Sequence, residues 1–140
     1  MRRHTMEVRV IYADTDAMRI TYHANYLKWF EMGRTEYLRE LGFAYKDMED
    51  EAMLMLPLTS SGMTYKKPAV YDDVLEIVTF IEKLGGASIR FGYEVYRKET
   101  GELLVTGHTA HGVTNTKLKP VRLKRELPEL YQVLVESAAE

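Results

Sequence analysis

Residues 6–12 set Met6, Val8, Val10 and Tyr12 against Glu7, Arg9 and Ile11, an alternation that predicts a half-buried strand. The polar run ADTDAMR ends it. Beyond that turn Tyr26, Trp29, Phe30, Gly33, Tyr37 and Leu41 recur at helical spacings, so one face of a long helix is apolar and aromatic. Gly42 supplies its stop, and Lys28, Glu31, Arg34, Glu36, Arg39 and Glu40 are spaced to pair along its outer surface. Residues 45–51 are acidic and read as a solvated connector with one short helical turn. Four long strands follow, at 55–66, 74–84, 87–98 and 103–115, with turn signals at 68–73, 85–86 and 100–101. Short links between them predict antiparallel neighbours. Pro128 suits the first turn of a final helix whose apolar side is Leu127, Leu130, Val133 and Leu134.

A sheet with alternating faces and one long amphipathic helix closes most simply when the helix lies across one face of the sheet. The expected class is therefore α+β, with residues 1–140 as a single domain. At 46% hydrophobic and 29% charged residues the chain is too apolar to be disordered. A formal charge of -2 gives no general attraction to nucleic acid or a membrane surface. The pair Lys66–Lys67 and the looser cluster Lys117, Lys119, Arg122, Lys124 and Arg125 read as solvated surface, or as help with an anionic ligand. The N-terminal MRRHTMEVRV has charges where a secretory signal needs an apolar run, and no stretch is long enough to span a bilayer, so the expected location is the cytoplasm.

The crowded polar segment between the first strand and the long helix is the natural place for chemistry. Asp14 and Asp16, two apart, either point the same way into a site or cap backbone groups in a turn. The helix behind them presents unpaired N–H groups that would stabilise negative charge growing on a carbonyl oxygen. No cysteine is available as nucleophile or ligand. His108 and His111, three apart in a strand, point to opposite faces and make a poor metal pair, so no metal is expected. His4 reads as a tail residue, and His23, at the helix start, as a cap, a ligand contact or a packed ring. Ser60-Ser61-Gly62 is not the GxSxG elbow of serine hydrolases.

The segment YADTDAMRITYHANYLKWFEMGRTEYLRELG closely resembles the opening motif of the 4-hydroxybenzoyl-CoA thioesterase-like family of hotdog acyl-CoA thioesterases. KKPAVYDDVLEI and LGGASIRFGYEV resemble that family's strand turn and central hairpin, so the likeness runs from about residue 6 to residue 115. It implies a hotdog fold, in which a curved antiparallel sheet of about five strands wraps one long central helix, here with a C-terminal helix added. Subunits of such proteins join edge to edge, with active sites at the interface. The resemblance makes Asp16 the catalytic carboxylate, as general base or as nucleophile, and the backbone N–H of His23 the oxyanion donor. Tyr22, Asn25 and Tyr26 belong to the motif at the helix mouth, where they either contact substrate or make structural hydrogen bonds. Glu31 either lies near the acyl end or pairs with Lys28 or Arg34 on the helix surface. Thr59, Ser60 and Ser61 either approach the acyl group from the partner subunit or make structural hydrogen bonds.

Two positions depart from the family pattern. Arg19 stands where glycine is common, so the turn has either lost its need for a positive dihedral or changed shape. Its side chain then contacts a ligand anion or lies in solvent. The hairpin that carries basic residues for the coenzyme phosphates in some relatives reads LGGAS, which leaves Lys66, Lys67, Lys83 or Arg90 for that task. The expected function is hydrolysis of an acyl-CoA thioester to a free acid and coenzyme A, without cofactor, by a homodimer or homotetramer. The alternative, which Arg19 makes credible, is a dimer that binds acyl-CoA or acyl carrier protein without turnover. A dehydratase of the same fold ranks below both, because His23 and Glu31 do not reproduce its histidine and carboxylate signature.

Overall fold

The computed structural model describes all 140 residues. One antiparallel sheet contains β1 (Arg3–Arg9), β2 (Leu58–Tyr65), β3 (Val74–Leu84), β4 (Ser88–Arg97) and β5 (Leu103–Gly112), in the order β1-β3-β4-β5-β2. The helices are α1 (Asn25–Glu40), α2 (Tyr45–Asp50), α3 (Leu123–Glu126) and α4 (Pro128–Ala139). Strand β3 matches its sequence reading residue for residue. Ile77, Val95 and Val105 form one cross-strand row, and Ile81, Phe91 and Thr109 another. All six are buried, so the period-two pattern delivers a single apolar face.

Helix α1 lies on that face and buries Tyr26, Trp29, Phe30, Gly33, Tyr37 and Leu38. The Phe30 ring stacks on Tyr93 at 4.1 Å, and Tyr37 meets Phe91 edge-on at 6.2 Å. Each such ring contributes roughly 1.5–3 kcal/mol when fully buried. Close approach requires a missing side chain at Gly33, because a Cβ there would sit 2.5 Å from Thr79 Oγ1. The helix ends as Gly42 predicts, at φ +96°, with Gly42 N donating to Arg39 O and Phe43 N to Leu38 O, both at 2.9 Å. Of the charges on its outer surface, only Arg39 and Glu36 pair with each other. Helix α4 begins at Pro128 and buries Leu130 and Leu134.

Four readings need correction. Strand β1 starts at Arg3 and stops at Arg9, because Val10 exchanges backbone hydrogen bonds with Asp72 and Asp73 and the chain then turns at Tyr12–Asp14, leaving Tyr12 exposed. The acidic connector is helix α2, and its Met48 is 4% exposed within the core. Strand β2 begins only at Leu58, since Pro57 lacks an N–H for the ladder, although Met55 still bridges Thr114. Short links do mark neighbours for β3–β4 and β4–β5, but β2 lies at the far edge beside β5, so residues 66–73 carry the chain across the sheet to β3.

The two strand histidines diverge as their spacing requires. His108 packs beside Gly62, whereas His111 is buried on the helix side. His111 Nδ1 lies 3.0 Å from Leu56 O, its Nε2 2.9 Å from Thr109 Oγ1, and that hydroxyl 2.6 Å from Tyr93 O–H. A carbonyl only accepts, so Nδ1 donates, Nε2 accepts from Thr109 and Thr109 accepts from Tyr93. The chain of bonds is complete with a neutral ring. Burial pushes the His111 pKa below the usual imidazole value of about 6.5. As pH falls through that value, the unfolded imidazole takes a proton that the folded one refuses, so stability drops and then levels off below the folded pKa. We expect urea midpoints measured from pH 7.5 down to pH 5 to fall less steeply in His111→Gln than in the parent; equal slopes would exclude His111 as the source.

Candidate active site

The loop between β1 and α1 is built by Asp14. Its side chain is 8% exposed, with Oδ2 accepting from Ile11 N at 3.0 Å and Oδ1 from Lys28 Nζ at 3.3 Å. Its carbonyl accepts from Tyr22 N at 2.7 Å and from Asn25 Nδ2 at 2.8 Å. Asp14 is therefore the turn aspartate, and Asn25 is committed to the same scaffold. Lys28 pairs with this carboxylate, and Glu31 pairs with neither Lys28 nor Arg34.

Asp16 begins a small hairpin. Its N–H donates to Ile20 O at 3.0 Å, its carbonyl accepts from Arg19 N at 2.9 Å, and Thr15 bridges Thr21. Oδ1 accepts from Met18 N at 2.8 Å, which orients the carboxyl group and leaves Oδ2 without a partner in the chain. A three-residue loop of this kind places its last residue in the left-handed region. Arg19 occupies that place at φ +65°. The position thus has a positive dihedral without glycine, contrary to the expectation that the need for one is lost, and the flanking hydrogen bonds and the Ile20–Val70 bridge hold the turn.

Helix α1 starts with Ala24 as its cap residue and no capping side chain. The backbone N–H groups of His23 and Ala24 have no acceptor in the chain, so the partial positive charge of the helix end stays open. The His23 ring leans on Tyr22 at 4.5 Å and caps nothing. A pocket of about 300 Å³ joins this helix end to the hairpin, lined by Asp16, Met18, Ile20, Thr21, His23 and Tyr26 together with Tyr65, Lys66, Lys67 and Pro68. Tyr26 is 3% exposed, and burial pushes its phenol pKa up, so it remains a neutral donor.

Of the residues singled out in the sequence, the structure brings Asp16, His23 and Tyr26 to one pocket. Arg19 and Tyr22 are exposed beside it. Thr59, Ser60 and Ser61 lie on the open edge of β2, where Thr59 Oγ1 donates to Ala110 O at 3.1 Å. Ser61 and Thr59 lie four and six residues from Tyr65, roughly 13–20 Å along the strand, so one subunit does not bring them to its own Asp16. Lys66 and Lys67 join the pocket wall, which the KKP run alone did not reveal. Lys67 is held by Glu102 at 2.7 Å, whereas Lys66 has no ion pair. Arg90 is tied to Glu82 at 2.6 Å.

Residues 18–104 match the family described as the thioesterase superfamily. The chain belongs to that superfamily. It is 39% identical to YneP of Bacillus subtilis over 124 residues, 88% of each chain. It is 35% identical over 127 residues to the acyl-CoA thioesterase YbgC of Haemophilus influenzae, covering 91% of this chain and 93% of that one. The crystal structure of DHNA-CoA thioesterase from Staphylococcus aureus superposes with a TM-score of 0.93 at 34% identity, over 99% of this chain and 93% of that one. The sheet curled about α1 is the hotdog fold of these thioesterases, as the resemblance implied.

Because a non-glycine residue at positive φ costs about 1 kcal/mol or more, Arg19→Gly is expected to preserve the fold and leave stability equal or up to about 1 kcal/mol higher. A loss in thermal or urea unfolding would mean that the guanidinium itself supports the turn.

Proposed function

We propose that the protein hydrolyses acyl-CoA thioesters to a carboxylic acid and coenzyme A, with Asp16 as its catalytic carboxylate. The observation that carries this reading is the pairing, in one pocket, of a carboxylate with a free oxygen and a helix end with open N–H groups. Asp16 Oδ2 either takes the proton of a water attacking the acyl carbon or attacks that carbon itself. In both routes negative charge gathers on the thioester oxygen. The His23 N–H, aided by the α1 dipole, is the donor aimed at that charge. Collapse of the tetrahedral species then expels the coenzyme A thiolate, leaving the free acid in the first route and, in the second, a mixed anhydride on Asp16 that water hydrolyses to the acid. These steps use only the chain's own residues and water, which suits an enzyme without metal or cofactor. The alternative of a binder without turnover draws its force from Arg19; a hydrogen-bonded hairpin that accommodates Arg19 at φ +65° supports the hydrolase reading instead.

The working unit in this reading is a homodimer joined through β2, with a homotetramer open to it. Strand β2 is an unprotected edge, and Leu58 and Tyr65 on it, with Leu27 and Met32 on α1, are large apolar side chains left exposed. A two-fold axis pairs identical edge strands antiparallel. The beginning of the partner's β2, with the partner's Thr59, then lies near the Tyr65 end of this one, where Glu31 along α1 would face the same acyl group. No helix is long and apolar enough to cross a membrane; a single domain and a cytoplasmic location complete the proposal.

Asp16→Asn is expected to fold and to lose about 10²–10⁴-fold in kcat for thiol release from acyl-CoA substrates. Asp14→Asn should instead lower stability by about 1–3 kcal/mol, since it weakens buried hydrogen bonds to charge. Full turnover in the Asp16 variant would sink the mechanism. Sedimentation should return at least twice the 16.2 kDa chain mass, and Ser61→Pro, which removes an N–H from the open edge, should shift it toward monomer with loss of activity. A monomeric, active parent would refute the shared site.

A further inference from the structure

The side chain of Arg97, at the end of β4, is 17% exposed, and each of its guanidinium nitrogens donates a hydrogen bond. Nε reaches Asp73 Oδ2 at 3.1 Å, Nη1 reaches Glu102 Oε1 at 2.8 Å and Nη2 reaches the carbonyl of Pro68 at 2.8 Å. All three acceptors govern the crossing segment 66–73. Pro68 lines the Asp16 pocket, and Glu102 uses its other oxygen to hold Lys67, the next residue of the same lining. Asp73 Oδ2 also accepts from Val70 N at 2.9 Å, so the far end of the segment is folded back onto its middle. A planar fork serves such divergent acceptors together, as a single ammonium does not. The other ion pair on this segment, Arg9 with Asp72, has both side chains more than half exposed and contributes little.

The residues that follow Pro68 make the join to the hairpin that carries Asp16. Thr21 N donates to Ala69 O at 2.8 Å, and Ile20 bridges Val70. The remaining backbone bonds of residues 15–21 run within the hairpin or to Tyr12 in the turn before it, so this join is what seats the hairpin on the sheet. We propose that Arg97 is a positioning residue for thioester hydrolysis: by clamping residues 68–70 it fixes the Asp16 hairpin relative to the open N–H groups at the start of α1. The inference rests on the hydrolase reading given above. Arg97 is not in the lining of the pocket, so it acts through the backbone and touches no substrate atom. Reaction at a carbonyl held by the helix end depends steeply on where the carboxylate sits, and a displacement of about 1 Å costs on the order of 10²-fold in rate.

The test compares the parent with Arg97→Lys, which keeps the charge and the stem, and so the fold, but cannot serve three acceptors at once. Lys98→Met is the control: it breaks the ion pair with Glu7 at the same end of β4 and leaves the clamp intact. In Arg97→Lys, kcat for thiol release from an acyl-CoA should fall about tenfold or more with KM within about threefold, and the control should match the parent. Hydrogen exchange supplies a readout independent of turnover. The Thr21 and Val70 amides should exchange faster in Arg97→Lys, while amides in the middle of β4 and β5 keep their protection. An unchanged kcat, an equal fall in the control, or exchange that is unaltered at Thr21 or raised evenly across the sheet would each overturn the assignment. A parent that hydrolyses no thioester, with the Thr21 amide still loosened in the variant, would keep Arg97 as the clamp of this hairpin and refute the hydrolase reading.

Discussion

Helix α1 buries its aromatic stripe only because the sheet lets it come close, and the rest of the molecule depends on that contact. Gly33 removes the one side chain that would hold the helix away from Thr79, and Phe30 then stacks flat on Tyr93. A helix seated at this depth has one permitted position for its first turn. Tyr26 is buried against Trp29, and the open N–H groups of His23 and Ala24 come to rest at the rim of the core. The location of positive helix-end potential is thus set by packing several turns away.

The adjoining loop divides its labour between two similar residues. Asp14 is nearly out of solvent, and its desolvation is offset by Lys28 and by the Ile11 amide. Its carboxylate is spent on structure. Asp16 is oriented by a single amide at one oxygen, and the other oxygen has no partner in the chain. A carboxylate held rigidly but not saturated is the kind of group that exchanges protons or attacks carbon without first breaking bonds. The left-handed dihedral of Arg19 is the strain that this hairpin carries, and it is sustained by hydrogen bonds on both sides of the turn.

Covering the sheet with α1 satisfies one face but leaves β2 with a bare edge. Apolar side chains around that edge and around the mouth of the Asp16 pocket, including Met18, Leu58 and Tyr65, remain in water in the isolated chain. Hydrophobic burial and edge pairing favour the same event, association of two copies through β2. Thr59 and Ser61, useless to their own subunit's pocket, acquire a place in such an assembly.

Much of this was legible along the chain, because strand and helix periodicities follow directly from backbone geometry. Residues 74–84 show it for β3, and the stripe from Tyr26 to Tyr37 for α1. The stop at Gly42 and the start at Pro128 were readable too, since each depends on a dihedral or a missing N–H that the residue type itself dictates. Position in space was another matter. That Met48 joins the core, that β2 pairs with β5 and that Lys66 lines the same pocket as Asp16 are facts about distant segments meeting. Spacing could not separate Asp14 from Asp16, because both are turn aspartates until the fold supplies Lys28 to one and open space to the other. Sequence determined the elements and the residue types at their ends, where local covalent geometry is enough; tertiary structure decided which polar groups are satisfied and which are left free, because that depends on what the rest of the chain brings within a few ångströms.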